Sequence, residues 1–103
     1  MIRDNNLLLD FLEHSIGNVF KILPLYEEEN EGLDSYIDSL LMELYKLVNT
    51  FEVEDSYKYT SLILTLESVK ELSLKDNNQA IIKREVFKSI SIIKSIISNI
   101  EGV

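Results

Sequence analysis

The sequence predicts an all-α fold, an antiparallel four-helix bundle, on three observations. Apolar residues recur at intervals of three and four in four separate segments, the period of one helical face. One Pro and three Gly in 103 residues are too few enforced turns for a strand-rich domain. The second segment keeps its period as an unbroken heptad seam from Leu33 to Phe51. Residues 1–103 read as a single domain, with no internal repeat or low-complexity stretch.

The first segment runs from about Asp4 to Leu23. Leu8, Leu12, Ile16, Val19 and Leu23 follow a 4-4-3-4 spacing, widened by Leu9, Phe11, Phe20 and Ile22. Gly17 either weakens this helix or permits a close crossing by a neighbour. Pro24 ends or bends the helix at Leu23. The stretch from Pro24 to Gly32 is the longest connection, and its run of Glu residues is able to form a short helical turn.

In the second segment Leu33, Ile37, Leu40, Leu44, Leu47 and Phe51 repeat as 4-3-4-3-4, with Asp34 or Ser35 as the expected cap. The third starts at the capping pair Asp55–Ser56 and presents Tyr59, Leu62, Leu66 and Val69 at 3-4-3 spacing. It fades at Leu72–Asn78, a turn that ends in a helix cap. The fourth runs from about Asn78 to Ile100, with Ile82, Val86, Ile90, Ile93, Ile97 and Ile100 at 4-4-3-4-3. Its β-branched residues alone would allow a strand, but the period persists too long for one. Ile81, Ile92 and Ile96 widen its apolar arc, opposite Ser91, Ser95 and Ser98. So wide an arc belongs to a helix central in its bundle or to one shared with a second copy.

Composition excludes several kinds of chemistry. The chain has no Cys, so disulfides, zinc–thiolate sites, iron–sulfur clusters and cysteine nucleophiles are ruled out. No Walker-type loop, G-x-G-x-x-G or G-x-S-x-G occurs. His14 is the single histidine, and Asp10 stands one helical turn before it. Without a companion nucleophile the pair makes no catalytic site. A di-iron bundle needs two Glu-x-x-His pairs, and none exists here. The stretch from Asp76 lacks the Gly and Glu of a calcium loop, having Ile81 and Phe87 in their places. No metal, cofactor or catalytic residue is therefore expected.

The charge is uneven. Up to Tyr57 three Lys and Arg stand against thirteen Asp and Glu, a net −10. From Lys58 onward seven stand against five, a net +2. Direct nucleic-acid binding needs a basic face, which the small cluster of Lys83, Arg84 and Lys88 does not supply. Residues 1–12 lack the pattern of a secretory leader, and the apolar stretch 86–100 is too short to span a bilayer. A cytoplasmic location without membrane contact is expected.

The partner expected from these features is a basic protein. Its contact surface is placed at the acidic run and the tyrosines beside it: Tyr26, Glu27, Glu28, Glu29, Glu31, Asp34, Asp38 and Tyr45. Tyr36 and Tyr59 sit beside the apolar seams and read as core-edge residues with hydroxyls in water. Immunity proteins, antitoxins and phage-encoded inhibitors share this profile: short, acidic and Cys-free. Two alternatives stand beside that reading. One is a homodimeric structural or regulatory subunit joined through the fourth helix. The other is a small-ligand binder or enzyme with a site in the bundle core.

Overall fold

Asp4 starts the first helix by accepting a hydrogen bond from the Leu7 amide at 3.1 Å. In the computed structural model, which describes residues 3–102, that helix is α1, Asn5–Phe20. It is followed by α2 (Ile22–Glu27), α3 (Leu33–Thr50), α4 (Ser56–Ser73) and α5 (Gln79–Glu101). α1 and α2 form one bent rod, so the bundle has four helical legs; α3, α4 and α5 correspond to the second, third and fourth segments of the sequence. The bend is at Lys21. Pro24 has no N–H to give the Phe20 carbonyl, and its ring crowds that oxygen, so the ladder breaks there and resumes with Leu25 on the Lys21 carbonyl.

Cross-links at both ends show the legs alternating in direction. At one end Arg3 pairs with Glu52, and Asn99 Nδ2 donates to Asp55 Oδ2 at 2.6 Å. At the other the Tyr26 hydroxyl donates to the Lys75 carbonyl at 2.7 Å, and Lys70 Nζ meets Asp38 Oδ1 at 2.6 Å. α1 and α4 flank α5, α3 packs on α4, and α2 bridges α3 and α5. α5 thus touches three other helices, and its 23 residues set the long axis of a 41 × 24 × 20 Å molecule.

The seams follow the predicted faces with a shift in two of them. α3 buries Leu33, Ile37, Leu40, Leu44, Leu47 and Phe51 as expected. In α1 the buried line is Leu8, Leu12, Ser15, Val19 and Ile22, while Ile16 and Leu23 are only half-buried. In α5 it is Ile82, Val86, Ser89, Ile93 and Ile96, beside Ile90, with Ile97 and Ile100 half-buried. A serine occupies a heptad position in each helix and hides it from an apolar count. Ser15 Oγ and Ser89 Oγ each donate to the carbonyl four residues back, at 2.9 Å, so neither hydroxyl is stranded.

The caps also differ from expectation. Gly32, not Asp34 or Ser35, precedes α3, and no side chain caps it. The Asp55 carboxylate is drawn to Asn99 instead of its own helix. Asn78 does stand at the start of α5, but its side chain donates back to the Leu72 carbonyl at 2.9 Å, closing α4. Gly17 gives no close crossing: a Cβ built there would meet nothing within 4 Å.

Candidate functional site

The alternating topology brings the α2–α3 connection beside the α4–α5 turn. Between them lies an open cleft of about 670 Å³. Its walls include Tyr26, Glu27, Glu29, Glu31 and Asp34 from the first connection and Asp76 from the second. Five carboxylates therefore line one end of the bundle. Among the described residues, none of Glu27, Glu28, Glu29, Glu31 and Asp76 makes a salt bridge.

The local backbone explains how these charges are presented. α2 ends in a Schellman motif: the Glu29 amide bonds the Tyr26 carbonyl and the Asn30 amide bonds the Leu25 carbonyl. Glu29 takes the left-handed position of that motif, φ 55°, which glycine normally fills. Asn30 Oδ1 then accepts from the Gly32 amide at 2.8 Å and turns the chain into α3. Asn77, also left-handed at φ 66°, makes the facing turn.

The eight residues expected at the interface do not form one surface. Tyr26, Glu27, Glu29, Glu31 and Asp34 share the cleft. Glu28 is exposed outside its lining. Asp38 and Asp34 are engaged by Lys70 of α4, at 2.6 and 3.9 Å. The hydrogen bond to Asp38 outweighs partial desolvation and holds the Lys70 ammonium above its ordinary pKa. Tyr45 lies well along α3 from the cleft, where its hydroxyl donates to Glu67 Oε1 at 2.9 Å. That bond, more than burial, raises the Tyr45 pKa. Tyr26 is a structural tie: its hydroxyl donates to the Lys75 carbonyl and accepts from the Asn78 amide at 3.1 Å.

The other tyrosines differ from expectation in detail. Tyr36 does not leave its hydroxyl in water; it donates to the Asn18 carbonyl at 2.6 Å. Tyr59 is buried, and burial, with Asp55 nearby, pushes its pKa up to about 12. His14 is exposed, and Nδ1 meets the Asp10 main-chain carbonyl at 2.8 Å, not the carboxylate.

Asp76 was not singled out from the sequence. It lies far from the acidic run along the chain, and only the antiparallel order of the legs brings it there. Among the described residues no three His, Asp or Glu side chains converge to hold a metal ion, and no helix is long and apolar enough to cross a membrane. No protein-family model, curated protein or solved structure matches the chain.

Proposed function

We propose that this is a non-enzymatic cytoplasmic interaction protein whose acidic end binds and neutralises or regulates a basic protein, in the manner of an immunity protein, antitoxin or phage-encoded inhibitor. The observation behind the reading is the cleft lined by Glu27, Glu29, Glu31, Asp34 and Asp76. Among the described residues, no cation lies within salt-bridge distance of Glu27, Glu29, Glu31 or Asp76. Like charges gathered at one place repel, and the N-terminus of α3 offsets that repulsion in part, for Asp34 in its first turn. Glu29 adds a specific cost, because a left-handed backbone is where a stability-driven sequence has glycine. A basic partner would relieve the repulsion between the carboxylates and speed encounter.

Capture from the native cell on the immobilised chain tests this. The parent and the triple variant Glu27→Gln, Glu28→Gln, Glu29→Gln are used side by side, with quantitative mass spectrometry. A basic protein retained by the parent and depleted on the variant is the expected result. Equal retention of the same proteins on both removes the acidic end from the interface. A homodimer through α5 is the second reading, favoured by the partial exposure of Ile81, Ile92 and Phe87 on that helix. Sedimentation showing a concentration-dependent dimer would support it.

A further inference from the structure

Beside the acidic cleft, and sharing Tyr26, Glu27 and Gln79 with it, lies a second groove of about 550 Å³ between the α1–α2 bend and the start of α5. Its surface is mainly apolar. Phe20, Leu23, Pro24, Ala80 and Phe87 supply it, and Phe20 and Phe87 meet edge to face with ring centroids 6.1 Å apart. Both rings stay in water to an extent unusual for phenylalanine, 48% and 43% exposed. The two rims differ in charge. Glu27 and the acidic cleft lie on the α2 side, and Lys83 on the α5 side.

We infer that this groove is the anchor site of the acidic surface and that its occupant is a basic amphipathic helix of the partner protein. The inference rests on the proposed function and adds the form of the bound segment. A helix laid in the groove would rest large apolar side chains, at helical spacing, on the Phe20–Phe87 pair. Its Lys and Arg would extend over Glu27 into the cleft. Lys83 fixes the direction, because the basic flank must face α2 and not α5. Charge selects this occupant over a second copy of the chain. Two copies apposed through the groove would bring two acidic ends together, in a protein of net charge −8. Apolar contact in such a groove supplies affinity, while the carboxylates supply rate and choice of partner.

The test uses the full chain and a displayed library of random peptides. Selection on the immobilised protein should return peptides with apolar residues at helical spacing flanked by Lys or Arg. The best binder, synthesised with a fluorophore, is measured by anisotropy against the parent, Phe20→Ser/Phe87→Ser and Glu27→Gln/Glu29→Gln, each checked for helix content by circular dichroism. Both pairs should weaken binding, the Phe pair by about tenfold or more, equal to ~1.4 kcal/mol. Lys83→Glu, on an exposed rim and harmless to folding, should strengthen it. Basic peptides that respond to the Glu pair but ignore the Phe pair would overturn the groove and leave the acidic reading standing. Apolar peptides that lack basic residues and ignore the Glu pair would overturn the acidic reading itself. Peptides indifferent to both pairs, or a library that yields none, would overturn the inference. So would a dimer that dissociates in the Phe pair, since a second copy would then be the occupant.

Discussion

Glu29 and Tyr59 are residues whose conformation or surroundings oppose their chemistry. At φ 55° Glu29 holds a backbone that costs an L-residue roughly 1–2 kcal/mol. Glu29→Gly should therefore raise stability by a fraction of that amount, partly offset by the greater freedom of glycine in the unfolded chain. Urea denaturation would show it as a higher midpoint at unchanged slope. Gly17 is the reverse case, an exposed glycine inside α1 with open space where a Cβ would be. Gly17→Ala should stabilise by up to about 1 kcal/mol. Thermal melting checks this. Tyr59 has its hydroxyl pKa raised to about 12, chiefly by burial, against about 10 in an unfolded chain. The folded state thus keeps a proton that the unfolded state loses as pH rises. Stability from this group is complete below about pH 10 and falls until about pH 12, by less than the roughly 2–3 kcal/mol of an unscreened group, since solvent screens the phenolate in part. Urea melts across that range should show the decline, and Tyr59→Phe should remove the share due to this phenol.

At the scale of elements the helices repeat one pattern, which the sequence discloses unevenly. α3 reads directly, because every heptad position from Leu33 to Phe51 is apolar. In α1 and α5 the same 4-3-4-3 line passes through Ser15 and Ser89. An apolar count steps over a serine and takes the next hydrophobic residue: Ile16 for Ser15, which is only half-buried, and Ile90 for Ser89, which is buried; at the end of α5 Ile96 and Ile97 are both apolar, and the period alone does not choose between them. A small hydroxyl bonded to its own helix is cheap to bury, so the seam tolerates it. Ser89, fully buried, should accept Ala with a change of within about 0.5 kcal/mol. Ser89→Leu should cost about 1–3 kcal/mol by overpacking. A denaturation series of the two variants checks both figures. The caps of α4 and α5 were legible as places and not as contacts, since Asp55 bonds Asn99 across the fold and Asn78 bonds Leu72 at the end of α4, while the cap of α3 falls at Gly32, ahead of the expected Asp34 or Ser35.

For the whole molecule, topology decides what the charge pattern becomes. The sequence shows an acidic half and a nearly neutral half, but the surface is not divided that way. Asp34 and Asp38 are met by Lys70 from the other half, and Asp76 joins Glu27, Glu29 and Glu31 from it. Tyr45 leaves the site because it stands two turns beyond Asp38 on α3, roughly 10 Å along the axis. The candidate site was thus legible as a region around residues 26–34 and illegible in its far wall and apolar neighbour, which depend on how α4 and α5 return. The central claim is that the acidic end meets a basic partner. Association kinetics of the captured partner with the parent and with the Glu27→Gln, Glu28→Gln, Glu29→Gln variant, at low salt and above about 0.15 M, where charges are screened beyond roughly 8 Å, test it most directly. The account predicts a parent on-rate that falls steeply with salt and a variant that is slower at low salt and less sensitive to it. Equal on-rates for parent and variant at both salt levels would contradict it.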